Sequence, residues 1–308
     1  MSEALRPARI RVPCSTSNLG AGYDTLGLAL DRYLDVVYEP DGHDSLVVER
    51  HGTLAGLDVS DVPDLVARTF TGALARQGIT PSGRLTLTSA IPVGRGLGSS
   101  AAAVLAGYDL SRAARGQPCA AEEAFEAAFA HEGHGDNAAP CLYGGLRAVV
   151  RAARGPHVIR LELADTIGFA YAAPATAVST EAARRALPRR VAHEVAAASL
   201  GRLTALVRGL AEGDPGLLRM GVDDELHVPY RVGMIPGARE AMSAAYDAAA
   251  WAVTISGAGS GLIAMCDKHD APRVAAAMHH AFDAGNADPE CMGFAVHPDF
   301  EGLRRVEA

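Results

Sequence analysis

Pro92-Val93-Gly94-Arg95-Gly96-Leu97-Gly98-Ser99-Ser100-Ala101 places three glycines and two serines between a β-rich run, Leu85 to Thr88, and an alanine-rich segment with helical spacing. Glycine lets a backbone N–H approach an anion closely, and a helix start adds unpaired donors and a partial positive charge. Phosphate is the natural ligand of such a turn. The hydroxyls of Ser99 and Ser100 suit phosphate oxygens or the oxygen shell of Mg²⁺. A plain strand-to-helix turn capped by serine would look similar, and the stretch alone does not separate the two. A dinucleotide fingerprint fits less well, because Gly94, Gly96 and Gly98 are evenly spaced instead of following G-x-G-x-x-G.

The rest of the chain narrows the chemistry. Lys268 is the single lysine, and it sits in the polar run Cys266-Asp267-Lys268-His269-Asp270, which reads as a turn between a strand and a helix. A Walker P-loop needs lysine directly after its second glycine, protein kinases need one on a strand, and pyridoxal enzymes need one for the Schiff base. None of the three can be built here in its usual form. A formal net charge of -8 provides no basic field for nucleic acid or an anionic membrane, so small molecules are the expected partners. Cys14, Cys119, Cys141, Cys266 and Cys291 are odd in number and lack a Cys-x-x-Cys pair, as expected of free thiols in a reducing cytoplasm. Met1 to Arg11 is followed by a polar, glycine-rich run, and no apolar stretch is long enough to span a bilayer; neither export nor membrane insertion is expected.

Strands are predicted at Arg9–Val12, Leu34–Tyr38, Ser45–Arg50, Leu85–Thr88, Leu146–Arg151, Val158–Leu161, Gly168–Ala172, Ala252–Ile255, Gly261–Cys266 and around Gly293–Val296. Helices are predicted over Pro63–Ala75, from Gly98 onward, over Ala120–His131, continuously from Thr180 to about Gly213, near Ala238–Ala249 and over Ala271–Ala284, with a turn at His227–Tyr230. Strands and helices that do not alternate strictly argue for an α+β fold. At 308 residues the chain exceeds the roughly 250–300 at which single cores stop growing, so two domains are expected, 1–164 and 165–308.

The loop from Pro92 to Ala101 resembles the phosphate-binding signature of the galactokinase, homoserine kinase, mevalonate kinase and phosphomevalonate kinase (GHMP) family. Two further segments match in the order that family requires: Val12-Pro13-Cys14-Ser15-Thr16-Ser17-Asn18-Leu19-Gly20-Ala21-Gly22-Tyr23-Asp24 and Ile255-Ser256-Gly257-Ala258-Gly259-Ser260-Gly261. The resemblance implies an N-terminal domain like ribosomal protein S5 domain 2, a ferredoxin-like C-terminal domain, a homodimer, and phosphoryl transfer from MgATP. Pro92, Gly94, Arg95, Gly96, Leu97, Gly98, Ser99, Ser100 and Ala101 would then form the ATP site. His131-Glu132-Gly133-His134-Gly135-Asp136-Asn137-Ala138-Ala139-Pro140 resembles the Glu-Gly-His-x-Asp-Asn-x-Ala-Pro run of the branch acting on L-homoserine.

By that match Glu132 and Ser100 are Mg²⁺ ligands, and Asp136 and Asn137 face the substrate hydroxyl, with Asp136 the candidate base. Asn18, Asp24 and Gly257 would line the amino-acid site, Asp24 being suited to an ammonium group. A substrate carboxylate calls for arginine, whose planar fork binds it in bidentate fashion. Arg184 and Arg231 stand at matching positions. His131 and His134 invite a zinc reading, but no third nitrogen or sulfur ligand has suitable local spacing. Two departures bear on the nucleotide: Ala258 and Ser260 replace the usual Ser and Pro of the third motif, and Asp64 stands where an Asn often contacts the nucleotide. Loss of Ser100, Glu132 or Asp136 would have marked a silent metabolite-binding regulator; all three are present. A mevalonate-type alcohol is the alternative substrate within the family.

Overall fold

The structure, a computed structural model, describes residues 4–41, 44–57, 64–153, 155–286 and 290–306. Strand β1 (Ala8–Ser17) buries Ile10, Val12 and Cys14 while Arg9 and Arg11 face outward, the alternation of a half-buried strand. Its pairing with β2 (Leu26–Glu39) shifts register between Pro13 and Cys14, where proline has no N–H to give the ladder. The sequence predicts only Leu34–Tyr38 of β2. Its first half is hidden by Gly27, which is required because a Cβ there would lie 1.7 Å from the Asp136 carbonyl oxygen. The close approach brings the segment carrying Asp136 and Asn137 against β2.

β3 (Leu46–Gly52) pairs parallel with β4 (Gly83–Ser89), and β4 pairs antiparallel with β2. β5 (Leu146–Ala152) joins β2 and then β6 (Gly155–Arg160), and a last strand of two residues, Arg304–Arg305, returns to β1. These seven strands form one sheet. Against it pack α1 (Leu65–Ala75), α2 (Ser99–Ala113), α3 (Ala121–Glu132) and α4 (Ala138–Tyr143). Pro63, the predicted start of α1, lies outside the described residues.

The second sheet runs β10 (Met292–Val296), β7 (Ile167–Ala173), β9 (Leu262–Asp267), β8 (Ala252–Ile255), antiparallel throughout. It is covered on both faces. Phe169, Tyr171, Ile263 and Met265 join the core of the first sheet, while Ala170, Ala172, Leu262 and Ala264 pack beneath α9 (Ala238–Asp247) and α10 (Ala271–Asn286). The mixed, non-alternating order of elements is the α+β arrangement expected.

The predicted continuous helix from Thr180 to Gly213 is two, α5 (Thr180–Arg185) and α6 (His193–Glu212). Pro188 explains the break, since it lacks the N–H of the ladder and disfavours helical backbone at Leu187. After α7 (Pro215–Gly221), the turn expected at His227–Tyr230 is the start of α8 (Val228–Arg231), with Pro229 tolerated in the first turn. Among the described residues no helix is long and apolar enough to cross a membrane.

Candidate active site

The three motifs meet in one cleft of about 440 Å³ between the two sheets. Gly94, Gly96 and Gly98 all have left-handed backbone, φ +68°, +74° and +64°. Gly96 cannot be replaced cheaply, because a Cβ would lie 2.0 Å from the Ser256 carbonyl oxygen. The loop delivers the chain into α2, whose N-cap Gly98 provides no side-chain cap. Among the described residues, the backbone N–H groups from Gly96 to Ala101 have no acceptor. Converging orphan donors at the end of a fifteen-residue helix fit a polyphosphate.

The third motif braces that loop. Ser256 Oγ donates to the Gly96 carbonyl at 2.7 Å and lies 2.9 Å from Thr16 Oγ1; Gly257 N–H donates to Ser17 O; Asn18 Nδ2 donates to Gly257 O at 2.7 Å. Ser260 Oγ is buried without a partner among the described residues. The first motif is backbone-strained, with Asn18, Leu19 and Asp24 at φ +68°, +50° and +51°, a cost on the order of 1–2 kcal/mol for a residue such as leucine. Asn18 Oδ1 offsets part of it by accepting the Asp24 N–H at 2.9 Å.

Glu132, at the last turn of α3, faces Ser100 at the first turn of α2. Burial pushes its carboxyl up to about 7, with His134 and the Ser100 hydroxyl pulling the other way and Asp136 adding to the rise. A carboxylate that is poorly neutralised and sits beside a hydroxyl fits a hard divalent cation such as Mg²⁺. Asp136 is 1% exposed. Its Oδ1 accepts from the Asn137 N–H and contacts His134 Nδ1, whereas its Oδ2 has no hydrogen-bond partner among the described residues. Burial alone would lower the His134 imidazole, but the Asp136 hydrogen bond and charge outweigh it and raise it. Asn137 is committed within the protein: Nδ2 donates to Ser17 Oγ and Oδ1 accepts from Ser15 Oγ, both at 3.0 Å.

Arg184 grips Asp24 in bidentate fashion at 2.7 and 3.1 Å. Ligand atoms of Asp24, His134 and Asp136 lie within 4.8 Å of one another, yet Arg184 and His134 already balance these carboxylates. Arg231 differs. It is 2% exposed, its Nε donates to Ala183 O at 3.2 Å, and Nη1 reaches His227 Nδ1 and Gly257 O at 3.4 Å. Among the described residues it forms no ion pair. Burial and the nearby Arg184 depress its pKa, with Tyr23 opposing. His227, lowered by burial, bonds through Nε2 to the Gly20 carbonyl and so presents a neutral Nδ1 to Arg231.

The cleft gathers Asn18, Asp24, Gly94, Gly96, Leu97, Gly98, Ser99, Ser100, Glu132, Asp136, Asn137, Arg184, Arg231 and Gly257. Pro92 and Ala101 are buried behind the loop, and the Arg95 guanidinium turns away to the Pro174 carbonyl. Asp64 is not in the cleft; it caps α1 through the N–H groups of Val66 and Ala67 and pairs with Arg50. The sequence alone gives no part to Tyr23, whose ring lies 5.3 Å from His227 and 5.3 Å below the Arg231 guanidinium, and suggests for His134 only the zinc reading set aside above, not its contact with Asp136. Each is adjacent to or within a recognised motif, which is the one signal that could have found them.

Comparison with known proteins agrees with this geometry. The GHMP kinases N terminal domain matches residues 64–145, and the GHMP kinases C terminal domain matches 206–284. A homoserine kinase of Synechococcus sp. (strain WH7803) is 37% identical over 281 residues, covering 89% of each chain. One from Moorella thermoacetica is 37% identical over 276 residues, 89% of this chain and 92% of that one. The crystal structure of homoserine kinase from Cytophaga hutchinsonii superposes with a TM-score of 0.84 at 28% identity, covering 99% of both chains. The chain belongs to the GHMP kinases and is an ATP-dependent small-molecule kinase by family, with homoserine kinases among its relatives.

Proposed function

We propose that the protein transfers the γ-phosphoryl group of MgATP to the side-chain hydroxyl of L-homoserine, giving O-phospho-L-homoserine, a step of threonine biosynthesis. The observation that carries this reading is Arg231, a buried guanidinium that forms no ion pair among the described residues, near the Asp24 carboxylate in the cleft that holds the phosphate loop. A zwitterionic amino acid fits this pair: its carboxylate would sit on Arg231, and its ammonium beside Asp24, sharing that carboxylate with Arg184.

Phosphoryl transfer depends mainly on alignment and charge neutralisation. The Gly94 to Ser100 backbone holds the phosphates, and Ser99 and Ser100 add their hydroxyls. Ser100 and Glu132 would hold Mg²⁺, which supplies positive charge at the phosphates when bound. Asp136 Oδ2 takes the proton of the acceptor hydroxyl as the new O–P bond forms and the bond to the leaving ADP breaks. Asn137 fixes Ser15 and Ser17 beneath the acceptor, and Asn18 fixes Gly257. The proposal extends to units 1–164 and 165–308, a homodimer and a cytoplasmic location, supported by the family resemblance.

ADP release measured with homoserine, mevalonate and galactose tests the substrate. Mevalonate has a carboxylate for Arg231 but no ammonium for Asp24, so homoserine should lead it by at least about tenfold in kcat/KM. Equal or faster turnover of mevalonate would reject the amino-acid reading.

A further inference from the structure

A second cleft, of about 630 Å³, opens where β5 and β6 meet the connection 161–163 and the chain's C-terminal segment. Two of its lining residues, Arg147 and Arg160, are directly opposite one another across the antiparallel β5–β6 pair. Like charges in that position repel. Among the described residues neither guanidinium forms an ion pair, although Glu162 lines the same cleft. Burial, followed by the charge of Arg160, lowers the Arg147 pKa. Charged residues on edge strands often serve only to block strand addition. That explanation fits Arg160 on the edge strand β6. It does not fit Arg147, because β5 is paired on both sides, to β2 and to β6. Arg147 is also held in place, its Nε and Nη2 donating to the carbonyls of Gly144 and Tyr143 at 2.6 Å each. Those carbonyls end α4, the six-residue helix that begins just after Asp136 and Asn137, so the cleft lies about 9 Å along that helix from the active site. Leu161, Leu163 and Phe300 line it as well, beside Glu162; Phe300 is 62% exposed, unusual for so large an aromatic.

We propose that this cleft is a second binding site for a small metabolite, whose carboxylate or phosphate group bridges Arg147 and Arg160 and whose apolar part rests on Leu161, Leu163 and Phe300. An anion between the two guanidiniums turns a repulsive pair into two charge-assisted contacts, the geometry arginine serves best. The site is separate from the amino-acid cleft and does not depend on the identity of the kinase substrate.

The test is isothermal titration calorimetry at low ionic strength on the full chain, saturated with homoserine and a non-hydrolysable ATP analogue to fill the active site. Inorganic phosphate and isobutyrate are the two probes. One equivalent of either should bind saturably, and Arg160→Gln, an exposed position, should weaken it about tenfold. Arg231→Leu should leave it unchanged, which keeps the result distinct from any failure of the active-site reading. Tighter phosphate identifies a phosphate-bearing ligand, and tighter isobutyrate a carboxylate with an apolar tail; each supports the site. Absence of saturable binding to either probe up to about 50 mM, or binding unaltered in Arg160→Gln, overturns it.

Discussion

Among the described residues, Arg231 and Asp136 hold unmet interactions of the cleft, one a guanidinium without an ion pair and the other a carboxylate oxygen without a donor. Both are almost fully buried, where an unsatisfied charge is costly, so each implies an arriving partner. Arg231→Leu should cost about 2–4 kcal/mol of binding to the amino-acid carboxylate, a fall of roughly 30-fold to 1000-fold in kcat/KM for homoserine. Homoserine methyl ester, which lacks the carboxylate, should lose far less. Equal losses on acid and ester would assign Arg231 to the scaffold and not to the substrate. Glu132 differs from these two in having the Ser100 hydroxyl as a partner, and its pKa gives a signed expectation. In the metal-free protein the folded state holds its proton up to about 7, against 4.5 ordinarily. The folded chain then binds more protons than the unfolded one between those values, so stability falls as pH rises through that window. Glu132→Gln should therefore stabilise the metal-free protein by on the order of 2 kcal/mol at about pH 8 and by almost nothing at about pH 4.5. A difference in melting temperature that does not change with pH would show that the carboxyl is not desolvated. The same variant should lose most turnover at saturating Mg²⁺, because an amide is a poor replacement for a carboxylate at a hard cation.

At the scale of elements, Asp64 has a structural part that its motif does not announce. The residue marks a family nucleotide contact in sequence, yet its carboxylate is bound to the first N–H groups of α1 and to Arg50. Asp64→Ala should cost about 1–2 kcal/mol of stability through the lost cap. Asp64→Asn should keep most of the cap, and the KM for ATP should not change in either variant; a raised KM in both would return Asp64 to the nucleotide site. Periodicity made most helices and strands legible, and the glycine and serine spacing of residues 92–101 exposed the phosphate loop. Features set by distant partners were not legible. The first half of β2 was masked by Gly27, whose reason is the carbonyl of Asp136. Arg184 could be placed by its motif, but its bidentate grip on Asp24, 160 positions away, could not. The amides of Asn18 and Asn137 read as substrate contacts, whereas most of their hydrogen bonds go to the backbone and serines that frame the cleft. A linear pattern reports which groups are polar and near a turn; it does not report which of them the fold has already satisfied.

At the scale of the molecule, the cleft depends on two sheets held at a fixed relation, and the chain's end contributes to that hold. After β10 the backbone crosses back, Asp299 accepting from the N–H groups of Glu301 and Gly302 and from Tyr33 Oη, before Arg304 and Arg305 pair with β1. Arg305 then grips Asp109 at 2.9 and 2.7 Å. Asp109 is 0% exposed in α2, the helix whose N-terminus forms the phosphate site. Arg305 is partly exposed, which screens the pair, but its removal strands the buried Asp109 charge, so Arg305→Leu should destabilise the protein by about 1–3 kcal/mol, and pairing it with Asp109→Leu should recover most of the loss. The molecule-wide consequence lies in what else moves. Trp251, the single tryptophan, precedes β8 of the four-stranded sheet and packs against the shared core. If the two sheets unfold as one unit, urea titrations of Arg305→Leu followed by Trp251 fluorescence and by far-UV circular dichroism should shift to the same lower midpoint. A fluorescence midpoint equal to that of the parent, with only the dichroism shifted, would mean that the four-stranded sheet folds independently and that the cleft between the sheets is held by its own contacts alone.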